Sequence, residues 1–136
     1  MGRSILAVLA GVVAAGVTVF LLEAASHIVF QPPAGIDPGD PERLAEWMEQ
    51  VPFGALVSVL IAWAVGTCLG GFVAARIARR APVRHAVVVG VIELALGAMT
   101  VALIPHPLWF TIVGLACFVP MAALGGLLGR TSPAPG

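Results

Sequence analysis

The stretch Ser4–Phe30, SILAVLAGVVAAGVTVFLLEAASHIVF, decides the fold. An α-helix crosses the apolar core of a bilayer with about 20 residues, and this run is long enough to do so. Within its last part, Val17–Phe30, it carries Glu23 and His27, one helical turn apart and on one face. An ionisable pair is costly in a segment that otherwise dissolves in lipid, which makes the pair a functional-site candidate. A secretory signal would share the basic Arg3 and the small residues Ala24-Ala25-Ser26. Its apolar core, however, runs only about 7–15 residues, so the segment is read as a retained span.

Composition agrees with this reading. The 136 residues are 60% hydrophobic and 10% charged, against about 25% charged in soluble domains. There is no Lys, and seven Arg balance seven acids. Cys68 and Cys117 both fall inside apolar runs, which gives neither a disulfide framework nor a zinc pattern. No phosphate-binding glycine loop, His-Glu-x-x-His or Cys-x-x-Cys is present, and no cofactor is expected. The expectation is a non-enzyme with too little polar surface for nucleic acid.

Three more apolar runs follow, at about 53–77, 85–104 and 108–128. The expected fold is an all-α integral membrane bundle of four helices in one domain, residues 1–130, with a polar, disordered tail over 131–136. Pro120 should kink the fourth span and free a carbonyl near Ala116. Pro32-Pro33 ends the first helix, and Asp40-Pro41 reads as an N-cap followed by proline at the first helical position. In 41–50, Leu44, Trp47, Met48 and then Val51 share one face, opposite Glu42, Glu46 and Glu49. This amphipathic helix is expected in the membrane interface with Trp47 as its headgroup-level anchor, or packed on the bundle as a capped connector.

Topology follows from the arginines. Arg3, Arg76, Arg79, Arg80, Arg84 and Arg130 fall at one end of the spans, and Asp37, Asp40, Glu42, Glu46 and Glu49 at the other. The positive-inside rule places both termini and the 76–84 loop in the cytoplasm. The Arg76, Arg79, Arg80, Arg84 group is read as this signal, with lipid headgroups as its ligands. Small residues repeat every four positions in the first span (Ala7, Gly11, Ala15) and the second (Gly66, Gly70, Ala74). Such faces let helices approach closely, and those in the first, second and fourth spans would support a homo-oligomer. Leu69-Gly70-Gly71 and Leu124-Gly125-Gly126 also echo each other, consistent with two parallel hairpins.

Two acids lie within the spans, Glu23 and Glu93. At about 1.5 Å per residue, Glu23 is roughly 11 Å and Glu93 roughly 16 Å below the outer helix ends. The two can therefore be level, share a proton, or bridge one cation. His106 lies about 20 Å along the axis from Glu93, too far for a single metal sphere. It is expected at the surface, between Pro105 and Pro107. Glu23, His27 and Glu93 are the candidate ion- or substrate-binding residues, with Ser26 and Thr100 as further polar partners. Glu23 and His27 are also the candidate metal ligands. Trp63 and Trp109 read as packing or belt aromatics.

Three features together, Leu22-Glu23 with His27, the loop Pro32–Pro38, and Ile104-Pro105-His106-Pro107-Leu108-Trp109, resemble those of short bacterial four-span inner-membrane proteins. The resemblance implies a prokaryotic cytoplasmic membrane and attaches no activity. The residues themselves favour permeation or transport of a cation, proton or small solute through intramembrane carboxylates. The alternatives are an accessory or assembly subunit of a larger membrane complex, and a membrane metal or cofactor binder.

Overall fold

The computed structural model describes residues 2–31, 39–78 and 80–130. Asp37, Arg79, the loop at Pro32–Pro38 and the tail 131–136 lie outside the described residues. Five helices follow one another: α1 (Gly2–Val29), α2 (Pro41–Gln50), α3 (Phe53–Ile77), α4 (Pro82–Leu103) and α5 (Leu108–Leu128). All but α2 are long and apolar enough to cross a membrane, and no strand occurs among the described residues. The protein is a multi-pass membrane bundle of four helices.

Local chemistry sets the helix ends. The Asp40 carboxylate accepts hydrogen bonds from the backbone N–H groups of Glu42 at 3.1 Å and Arg43 at 3.2 Å, a cap that contributes about 1 kcal/mol. Arg43 also pairs with Asp40 at 3.5 Å in the open. The turn from α3 into α4 passes through Ala81 at φ 48°, a left-handed conformation that costs a non-glycine residue about 1–2 kcal/mol. Pro82 then starts α4. The helix begins three residues before His85, so Arg84 sits in its first turn and not in the loop. At the end of α3 the Arg3 guanidinium donates to Ile77 O at 2.8 Å, which satisfies a terminal carbonyl and ties α1 to α3. α5 continues unbroken through Pro120, which is exposed, as is Ala116.

α3 is the centre of the bundle and packs on α1, α4 and α5. α4 also packs on α5, and α1 reaches α4 more lightly. α1 and α5 do not meet. The arginine-bearing half is closed by small residues. A Cβ at Gly11 would lie 2.8 Å from Gly70 O, one at Gly70 2.6 Å from Gly11 O, and one at Gly125 would collide with Cys68 O. These distances require glycine, because the backbones themselves are in contact.

That packing revises two expectations. Ala7, Gly11 and Ala15 are buried against α3 and α4 within the chain, so the small-residue faces that suggested self-association are already used. The Leu-Gly-Gly echo is not matched in packing either. Gly70 faces the preceding span α1, whereas its counterpart Gly125 faces α3. α3 touches α4, yet the equivalent pair α1 and α5 is apart.

The other half is packed by larger groups. Met48, Leu56, Trp63, Phe110 and Phe118 form the apolar core there. Trp63 stacks on Phe118 at 5.2 Å and meets Phe110 edge-on at 5.4 Å. Bulky rings pack less closely than glycine and alanine, and two adjoining cavities lie in this half.

Candidate functional site

α2 makes no close backbone approach to the four long helices. It rests on them through side chains, with Met48 buried and Trp47 packed against the aromatic core. Trp47 thus turns onto the bundle, as the packed-connector alternative describes. Beneath α2 lies an outer cavity of about 410 Å³. Leu44, Trp47, Met48 and Val51 roof it, and Leu56, Val59 and Trp63 of α3 form its floor. Its polar groups are Glu23, Ser26, His27, Thr100 and His106.

A second cavity of about 230 Å³ lies deeper, in the seam between α1 and α4. Gly16, Val19, Phe20 and Glu23 line it from α1, and Glu93, Leu96, Gly97 and Thr100 from α4. Trp63 and Phe118 complete it. The two cavities share Val19, Glu23, Trp63 and Thr100, so Glu23 stands at their junction. The exposed side chains of Phe20 and Leu96 form the lateral rim.

Glu23 and Glu93 therefore line one space. Glu23 Oε1 accepts a hydrogen bond from Trp63 Nε1 at 3.2 Å. Its other oxygen bonds to no described residue, and no ion pair joins it to His27, which is exposed. Trp63 is thus more than a packing or belt aromatic. Glu93 is only 7% exposed, and its Oε1 meets no donor among the described residues. One turn beyond Trp63, Thr67 is fully buried with its hydroxyl also unpartnered among them. Buried polar atoms are nearly always satisfied, so each exception calls for a reason.

The remaining expected partners behave differently. Ser26 pairs with Ser58 at 2.6 Å, and Ser58 donates to Ala55 O. Thr100 donates back to Leu96 O at 3.0 Å. His106 is half-buried in the outer cavity wall and not simply at the surface. Its ring stacks on Phe110 at 4.6 Å, and its Nδ1 lies 2.6 Å from Ile104 O. A carbonyl only accepts, so Nδ1 carries the hydrogen. Burial pushes the imidazole below its ordinary value, against the opposing effect of that hydrogen bond. His106 is then neutral near pH 7, with Nε2 an acceptor. It does not reach the inner cavity that holds Glu93.

Among the described residues no three His, Cys, Asp or Glu side chains are grouped to hold a metal ion, Glu23 and His27 included. Arg76, Arg80 and Arg84 are exposed at the far end, and Arg76 lies over the Phe72 ring at 5.7 Å. No protein-family model, curated protein or solved structure matches the chain.

Proposed function

We propose that the chain is a non-catalytic transport protein of a prokaryotic cytoplasmic membrane, moving a small cation in exchange for protons through Glu23 and Glu93. The observation that carries this reading is the placement of both intramembrane carboxyl groups on one cavity. Ionised, the pair attracts a cation in a medium where charge is poorly screened. Protonated, it no longer does, so cation release is coupled to proton uptake. The arginine-bearing end faces the cytoplasm by the positive-inside rule, and the cavities then lie in the outer half of the bundle. The close-packed glycine half separates them from the cytoplasm, so transport requires that half to open.

The accessory-subunit reading asks for Glu23 or Glu93 on the outer surface, and both instead face the inner cavity. The metal-binder reading asks for a ligand set that the described residues do not form.

Flux measurements in liposomes test the proposal, with wild type, Glu23→Gln, Glu93→Gln and the double variant under imposed proton and cation gradients. Wild-type flux that falls at least about tenfold in each single variant, with no further fall in the double variant, is expected if the two groups act as a unit. Absence of wild-type flux under every gradient would overturn it.

A further inference from the structure

The inner cavity is one-sided in its hydrogen bonding, because the donors among its described lining residues, Trp63 Nε1 and the Thr100 hydroxyl, are already bonded to Glu23 and to Leu96 O. No Arg or Lys lines either cavity, and the acidic groups of the two are Glu23 and Glu93. Glu93 is more than nine-tenths buried, lines the inner cavity, and presents an oxygen that meets no donor among the described residues. Glu23 has one oxygen on Trp63 and the other without a described partner. His106 uses its Nδ1 hydrogen on Ile104 O, which leaves Nε2 as a further acceptor in the outer cavity. The N–H groups of His27 and Trp47 belong to the outer cavity, whereas the free groups at Glu23 and Glu93 are acceptors, so the complement of that pair carries N–H groups and positive charge.

The outer cavity adds a second requirement. At about 410 Å³ it has the size of a small organic-ligand site. Its walls are mainly apolar, and Phe30, Trp47 and Trp63 supply the aromatic surface that favours cations and flat rings. A bare metal ion would leave this volume unused and find too few ligands.

We infer that the bound cation is a small organic amine with an apolar or aromatic body, its ammonium between Glu23 and Glu93 and its body in the outer cavity beneath α2. This deepens the cation-transport reading and rests on Glu23 and Glu93 forming one cation site. The ammonium donates to the unpartnered oxygens of both carboxylates. The apolar body replaces the contacts that lipid or water would otherwise make with the rings.

The test uses the full chain in nanodiscs, with empty nanodiscs subtracted, and follows intrinsic tryptophan fluorescence, since Trp47 and Trp63 both line the site. Three probes of similar shape are titrated at neutral pH: 2-phenylethylamine, 2-phenylethanol and 3-phenylpropionate. The amine should bind at least about tenfold tighter than the alcohol, a difference of about 1.4 kcal/mol, and the carboxylate should not bind. Glu93→Gln should remove the amine's advantage over the alcohol, and Glu93→Asp should keep part of the preference. Equal binding of amine and alcohol to the wild type would overturn the inference, as would an undiminished preference in Glu93→Gln. The probe series runs on the unaltered protein, so a variant that fails to fold does not shelter the inference. Absent amine preference with carboxylate-dependent flux of inorganic cations intact refutes the ligand class alone. Amine binding without any flux refutes transport alone.

Discussion

Trp63 Nε1 donates to Glu23 Oε1 at 3.2 Å across 40 residues of sequence, joining α3 to α1 at the junction of the two cavities. The same indole packs on Phe110 and Phe118. Trp63→Phe keeps much of the ring packing and removes the donor. It should destabilise the protein by about 1 kcal/mol, the scale of one hydrogen bond in a membrane bundle. Thermal unfolding in detergent, with Glu23→Met, which removes the acceptor, and the double variant, closes the cycle. Additive losses would show that the indole acts by packing alone.

Glycines of the bundle differ sharply in what surrounds them. A Cβ at Gly125 would collide with Cys68 O, whereas one at Gly16 would meet nothing within 4 Å. Gly125→Ala should force α3 and α5 apart and cost about 1–3 kcal/mol. Gly16→Ala should be neutral or stabilise by up to about 1 kcal/mol, through helix propensity. Comparable unfolding temperatures for the two variants would contradict the backbone contact between α3 and α5.

Burial lowers the pKa of His106 from its ordinary 6.5. The folded state then binds fewer protons than the unfolded state between the lowered value and 6.5, so stability rises with pH in that window. The contribution is complete above about pH 6.5 and declines as the pH falls below it. His106→Asn keeps a donor for Ile104 O and removes the titration. Its unfolding temperature should vary less with pH below 6.5 than that of the wild type. Glu23 and His27 share the cavity in both proteins, so the difference in slope isolates His106. Parallel profiles would place the imidazole in water.

Topology is open to direct labelling. In a background with Cys68 and Cys117 replaced by Ser, Glu46→Cys should react with a membrane-impermeant maleimide on intact cells. Arg130→Cys should react only after permeabilisation, because both positions are exposed at opposite ends of the bundle. Labelling of both from outside would refute the arrangement.

Much of the fold is legible in the residues. Long apolar runs announce the spans, and Asp40-Pro41 announces the start of α2, because both signals are local. The stripe Ala7, Gly11, Ala15 announces close packing but not its partner, since Gly70 lies in a different span and any small face would have fitted. The role of Trp63 is hidden for the same reason. Nothing near it in sequence requests a donor, and the request comes from Glu23. His106 escapes because spacing in sequence gives its distance from Glu93 only along the helix axis, while its place in the cavity wall depends on a lateral approach to α1 and α2 that no spacing encodes. Thr67 offers no pattern at all, and only its full burial reveals it.

The separation of Glu23 from its donor also bears on how the chain is made. α1 leaves the ribosome first, and Trp63 follows 40 residues later, about 2–8 s at ordinary rates of synthesis. During that interval the carboxyl group has no indole to bond, so insertion of α1 alone is an incomplete step. Docking of α3 against α1 supplies the missing donor, so the first span reaches its final bonding only once the second has packed on it.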